Sequence, residues 1–226
     1  MKKYKKIIVT GASKGLGLKI GISLLKKGHF VIFNYRTDSS NMLEAISSTG
    51  SEKYAVLKAD LTKIQDVRNF FRRIENDLGS IDILINNIGC AYSGNILFVN
   101  IVEWEKTIIT NIKSTFICTK YFAKKSTKNS SSMIINIGSL SGIEGKENES
   151  AYSTSKSALI GLTKSAAKDL KPFGIKVCLI YPPSVKSSLN RKAFSNEDKL
   201  DKYLKQITKI CEETTKFKTG KIFNIH

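Results

Sequence analysis

Short apolar runs rich in isoleucine and valine alternate with longer segments of helical periodicity along the whole chain, and few folds accommodate that pattern. The strand-like runs are Lys6–Thr10, Phe30–Tyr35, Tyr54–Lys58, Ile81–Asn86, Met133–Gly138, Lys176–Tyr181 and Lys221–Ile225. Between them lie amphipathic segments such as Leu16–Lys27, Ile64–Leu78, Val102–Lys125 and Tyr152–Leu170. In the second of these, Val67, Phe70, Phe71, Ile74 and Leu78 recur at the spacing of one helix face. Strands that are apolar at nearly every position are buried on both faces, and helices between them supply the covering layers. The pattern predicts an α/β fold: a doubly wound parallel sheet of about seven strands with helices on both faces. No repeat, linker or break in composition marks a second domain, so residues 1–226 read as one.

Composition narrows the functional classes. The four cysteines (Cys90, Cys118, Cys178 and Cys211) form no CxxC pair, and neither His29 nor His226 completes a metal site with them. The cysteines read as reduced thiols, and no metal is expected. After the basic start the first apolar run is too short for a signal peptide, and nothing later approaches a membrane span. A cytoplasmic location with no membrane partner is expected. The net charge of +18 raises the question of nucleic acid, yet only five of the 37 basic residues are arginine. Phosphate and base recognition favours arginine, interleaved with exposed aromatics or carried on a known motif. Scattered lysines fit a solvated basic surface better, or one that attracts an acidic partner. No nucleic-acid partner is expected.

Two clusters carry chemistry. The first strand runs into Thr10-Gly11-Ala12-Ser13-Lys14-Gly15-Leu16-Gly17, and a helix follows. Such a glycine-rich corner lets backbone N–H groups approach a pyrophosphate, with the helix N-terminus favouring its charge. The second strand ends Asn34-Tyr35-Arg36, with no acid before Asp38. A carboxylate at that point would suit the ribose 2′-OH of NAD, whereas a cation suits the 2′-phosphate of NADP. The second cluster is Ser139, followed thirteen residues later by Tyr152-Ser153-Thr154-Ser155-Lys156. Tyr152 and Lys156 share one helix face. A phenol of pKa near 10 is a poor proton carrier at neutral pH, and a neighbouring ammonium stabilises its anion. Ser139 is placed to hold a substrate oxygen while charge develops on it.

The TGxxxGxG turn, the serine and the YxxxK pair together resemble the short-chain dehydrogenase/reductase family, in order and at family spacing over about residues 5–190. The resemblance implies a Rossmann-type domain that moves a hydride between a nicotinamide cofactor and a carbonyl or alcohol. Lys14 occupies the other position at which NADP-preferring members carry a positive charge, so NADP(H) is expected. Gly11, Ser13, Lys14, Gly15, Leu16, Gly17 and Arg36 are the implied phosphate and ribose contacts. Asp60-Leu61 matches the adenine-contacting pair, and Asn86-Asn87-Ile88-Gly89 matches the family's NNAG with Ile88 for alanine, so Asn87 and Gly89 are implied contacts. Asn111 joins Ser139, Tyr152 and Lys156 as the implied catalytic tetrad, holding a water that relays protons through Lys156. Tyr152, Lys156, Pro182 and Val185 are implied around the ribose and nicotinamide.

Within the family the chain looks most like the 3-oxoacyl-(acyl carrier protein) reductases of fatty acid synthesis, which reduce a β-keto thioester with NADPH. Lys124, Lys125, Lys168 and Lys171 are expected to ring the mouth of the site and meet an acidic acyl carrier protein. A sugar, steroid or small alcohol or ketone is the alternative substrate, and a non-catalytic dinucleotide sensor the alternative class. Departures from the pattern are Pro183 where glycine is usual, Ser187 where threonine often contacts the carboxamide, and an end at Phe223-Asn224-Ile225-His226 without a glycine-rich tail. A substrate loop is expected at about 184–201, and a homo-oligomer, dimer or tetramer.

Overall fold

The apolar runs pair in a single parallel sheet because each has apolar side chains for both of its faces. In the computed structural model, which describes residues 4–126, 132–183 and 197–224, the strands are β1 (Lys6–Val9), β2 (Phe30–Tyr35), β3 (Tyr54–Lys58), β4 (Ile83–Asn86), β5 (Met133–Ile137), β6 (Lys176–Tyr181) and β7 (Ile222–Asn224). Their order is β3-β2-β1-β4-β5-β6-β7, and every neighbouring pair is parallel. Ile7 and Val9 of β1 point to one face, where Ile20 and Leu24 of α1 (Gly15–Lys26) and Met42 and Ile46 of α2 (Ser40–Ser47) cover them. Ile8 points to the other, under Val67, Phe70, Phe71 and Ile74 of α3 (Ile64–Leu78). Each such side chain contributes about 1.5–3 kcal/mol on full burial.

The remaining helices are α4 (Ile101–Ile108), α5 (Ser114–Ser126), the single turn α6 (Ser141–Glu144), α7 (Ser150–Asp169) and α8 (Glu197–Glu212). α5 and α7 join α3 over one face, and α8 joins α1 and α2 over the other. The chain winds outward from β1 to β3, then returns to place β4 on the other side of β1. At that reversal the loops leaving β1 and β4 diverge, and they open a crevice at the carboxyl ends of the strands.

Two expectations change. The helix expected over Val102–Lys125 is interrupted: Ile109–Lys113 form a π-turn, in which Ser114 N–H bonds the Ile109 carbonyl five residues back. Asn111 sits inside that turn. The loop expected at 184–201 gives way to α8 at Glu197, because Leu200, Tyr203, Ile207 and Ile210 recur at helical spacing and are buried, the last three in the core on the sheet. Residues 184–196, with Val185 and Ser187, lie outside the described residues. Among the described residues no helix is long and apolar enough to cross a membrane.

Candidate active site

The glycine turn is shaped by its neighbours. Gly11 has φ +61°, and its N–H donates to Asn34 Oδ1 at 3.2 Å while Ala12 N–H donates to the Asn34 carbonyl at 2.8 Å. A Cβ on Gly17 would lie 2.4 Å from Asn87 Nδ2 and 2.6 Å from the Gly11 carbonyl oxygen. Asn87 needs that space: its amide donates to the Thr10 carbonyl at 3.0 Å and to the Gly11 carbonyl at 3.1 Å. Thr10 Oγ1 accepts in return from the N–H groups of Asn87 and Ile88, at 3.0 and 3.1 Å. Beyond the turn, α1 starts with no side-chain cap and no acid in its first turn. Its leading N–H groups are left to the crevice, an arrangement that fits a pyrophosphate. Lys14 and Arg36 line the same stretch. Asp38, the first acid after β2, is held by the N–H and hydroxyl of Ser40 at 3.0 and 2.9 Å.

The segment after β4 is clamped from behind by Asn111. Its Oδ1 accepts from Cys90 N–H at 2.8 Å, and its Nδ2 donates to the Cys90 carbonyl at 2.9 Å and to Ser155 Oγ at 2.8 Å. These three bonds tie the loop to α7 through Ser155. Ser155 passes the restraint on, donating to the Tyr152 carbonyl at 2.7 Å. Deeper in the sheet, Asn86 Nδ2 donates to Asn136 Oδ1 at 2.9 Å, and Asn136 Nδ2 to Thr163 Oγ1 at 2.9 Å. This buried ladder aligns the ends of β4 and β5 with α7.

Tyr152 and Lys156 lie one turn apart on α7, with Lys156 Nζ 5.7 Å from the Tyr152 ring centre. Lys156 is buried and its ammonium donates to the Ile137 carbonyl at 2.8 Å. Burial disfavours the charge and pulls its pKa down to about 8. Burial also raises the Tyr152 phenol, opposed by the Ser139 hydroxyl beside it and reinforced by Glu149. The phenol is therefore protonated at neutral pH and adjacent to a cation.

One continuous cleft of ≈ 610 Å³ joins these parts. Gly11, Ser13, Lys14, Gly15, Leu16 and Gly17 line one end together with Arg36 and Leu61. Asn87 and Gly89 line the middle, and Ser139, Tyr152, Lys156 and Pro182 line the other end with Pro183. Asp60 lies in an adjoining hollow that shares Arg36. Its Oδ1 accepts from the Thr62 N–H and hydroxyl at 3.1 and 2.7 Å. Burial alone would raise the Asp60 carboxyl, but those bonds and Arg36 hold it below the usual range. Three contributors were not singled out from the sequence. Thr10 and Ser155 are embedded in motifs read for other residues, and Cys90 is recruited through its backbone, which leaves no side-chain signal.

The four lysines expected at the mouth are elsewhere. Lys124 and Lys125 are in the last turn of α5, Lys168 is in the last turn of α7 and Lys171 lies just beyond it. At a rise of 1.5 Å per residue, Lys168 is about 24 Å along α7 from Tyr152. Lys125 is moreover paired with Glu75. Helices that start at the carboxyl ends of parallel strands finish at the opposite edge of the sheet, so C-terminal lysines cannot ring this cleft within one chain.

Comparison with known proteins agrees with the geometry. Residues 5–198 match the short chain dehydrogenase family. The chain is 31% identical over 206 residues to a 3-oxoacyl-(acyl-carrier-protein) reductase FabG of Staphylococcus epidermidis, spanning 90% of this chain and 83% of that one. It is 28% identical over 238 residues to the reductase of the same name from Aquifex aeolicus, spanning 97% and 94%. An uncharacterized oxidoreductase of Thermotoga maritima shares 32% over 185 residues, 81% of this chain and 72% of that one. With the glycine turn, the Asn87 clamp and the Ser139, Tyr152 and Lys156 cluster on a single parallel sheet, this chain belongs to the short-chain dehydrogenase family of oxidoreductases.

Proposed function

We propose that the chain is an NADPH-dependent carbonyl reductase acting on a ketone, foremost a 3-oxoacyl thioester carried by acyl carrier protein. One observation carries the reading: Ser139, Tyr152 and Lys156 converge at one end of a cleft whose other end holds two cations, Lys14 and Arg36, beside a glycine cradle. The cradle and the open start of α1 would hold the pyrophosphate, and Lys14 and Arg36 the 2′-phosphate. Tyr152 and Lys156 would border the ribose, and Pro182 the nicotinamide. When bound, the reduced cofactor supplies the hydride. The Ser139 hydroxyl donates to the carbonyl oxygen and fixes its position. The Tyr152 hydroxyl gives its proton to that oxygen, and the Lys156 ammonium stabilises the phenolate left behind. Asn111 and Ser155 keep Tyr152 and the Cys90 loop in register through bonds of 2.7–2.9 Å. The thioester assignment draws on the two reductases above and on the net charge of +18, which attracts an acidic carrier.

The test is NADPH oxidation by the purified protein over acetoacetyl thioesters, sugars and steroids. The thioester is expected to give the highest kcat/KM. Tyr152→Phe is expected to lose about 10²–10⁴-fold in turnover while binding NADPH within twofold of wild type, as removal of a general acid does. Turnover of that variant within tenfold of wild type overturns the assignment of Tyr152 as proton donor. Preferred reduction of a sugar or steroid overturns the thioester.

A further inference from the structure

The substrate end of the cleft holds a pair of opposite charges that the reaction above does not use. Glu149 precedes Tyr152 by three residues and lines the cleft with it. Lys146 Nζ donates to Glu149 Oε1 at 2.5 Å. The two ends of this pair are unequally placed, since the Glu149 side chain is 13% exposed and that of Lys146 is 53% exposed. The carboxylate is sheltered against the wall and the ammonium stands out in water. The site is also held in place. Asn148 takes a left-handed turn at φ +59°, its carbonyl accepts from Gly94 N–H at 2.8 Å, and Gly94 forms a parallel bridge with Glu149. A sheltered charge is screened less than an exposed one, so its field extends over the space in front of Ser139 and Tyr152. The other charges at this end do not cancel it. Lys106 is turned to Glu103 at 3.2 Å, and Glu144 adds a second acid to the lining. Lys156 is buried and held by its bond to the Ile137 carbonyl.

We propose that Glu149 is a specificity-determining residue: its carboxylate directs the site toward ketones whose neighbouring group is neutral, a thioester or ester, and against the corresponding free β-keto acid. Lys146 tempers that effect by pairing with it. The inference rests on the carbonyl-reductase reading and adds to it the charge of the substrate.

The experiment compares kcat/KM for methyl acetoacetate and for acetoacetate, two ketones of similar size that differ by one negative charge, with NADPH saturating. S-acetoacetyl-N-acetylcysteamine serves as the neutral thioester. In wild type the ester is expected to be preferred over the acid. Glu149→Gln, which keeps the shape, is expected to lower the ester-to-acid ratio roughly tenfold, the scale of one nearby unit charge. Lys146→Gln leaves the carboxylate unpaired and is expected to raise the ratio several-fold. That exposed position carries the test alone should Glu149→Gln fold poorly. A ratio within twofold of wild type in both variants, or equal losses for the two ketones, overturns the proposal and leaves Glu149 a structural residue. If wild type reduces neither the thioester nor the ester, the reductase reading falls first, and the inference with it.

Discussion

Gly17→Ala tests the description of the cradle because the structure fixes where the added methyl must go. It would stand 2.4 Å from Asn87 Nδ2 and 2.6 Å from the Gly11 carbonyl oxygen. The Asn87 amide can swing aside, but it then forfeits its bonds to the Thr10 and Gly11 carbonyls, each worth about 0.5–1.5 kcal/mol. The Gly11 oxygen belongs to the backbone, and relieving that overlap costs about 1–3 kcal/mol. Alanine returns up to about 1 kcal/mol through its better helix propensity. A net loss of roughly 1–6 kcal/mol follows, and its midpoint corresponds to about 7–14 °C in Tm for a domain of this size. NADPH affinity, read by fluorescence titration, is expected to fall by at least tenfold because the turn is displaced. Two controls sharpen the reading. Gly15 has φ +58° with no atom in the way, so Gly15→Ala incurs only the left-handed backbone cost of about 1–2 kcal/mol. Gly161 lies within α7 with open space around it, and Gly161→Ala is expected to gain about 0.5–1 kcal/mol. A Gly17→Ala protein that melts within 2 °C of wild type and binds NADPH equally well would refute the close-packing argument.

Arg36→Asp is expected to raise the KM for NADPH by an order of magnitude or more, by loss of a charge-assisted contact of about 1.5–3 kcal/mol. The KM for NADH should change far less, and a wild type that uses both equally well removes the basis for the cofactor choice. Stability is expected to fall with acidification below about pH 6.5, the ordinary histidine value, because buried His29 titrates below it. The unfolded chain takes up the proton first, so the loss begins at the unfolded value and grows as pH falls. Melting curves between pH 7.5 and 5.5 should show this slope in wild type and a flatter one in His29→Gln.

The sheet was legible because burial on both faces leaves strands such as Ile83–Asn86 almost without polar residues. The cofactor turn and the Tyr152 and Lys156 pair were legible because their chemistry restricts both residue type and spacing. The π-turn at Ile109–Lys113 left no trace, because apolar spacing continues across it, and the bonds that Asn111 makes from within it join residues far apart in the sequence. Cys90 was invisible because its backbone, not its thiol, meets Asn111. The lysines of α5 and α7 were misplaced for a different reason. Spacing along a chain reports which residues share a helix, but which end of the sheet a helix end reaches depends on the direction of the strands.

β1 lies between β2 and β4, and the turn that follows it is closed by Asn87, 77 positions after Thr10. A chain emerging from the ribosome can pair β1, β2 and β3 in sequence, but one edge of β1 then waits for β4. Synthesis at about 5–20 residues per second leaves that edge open for seconds. An unpaired apolar edge of this kind is a template for joining another chain. The glycine cradle is incomplete over the same interval, so the cofactor has no finished site at which to guide early folding. The interior position of β1, beside the middle strand β4, puts the cradle within the sheet and also makes β1 the strand that waits longest for its second neighbour.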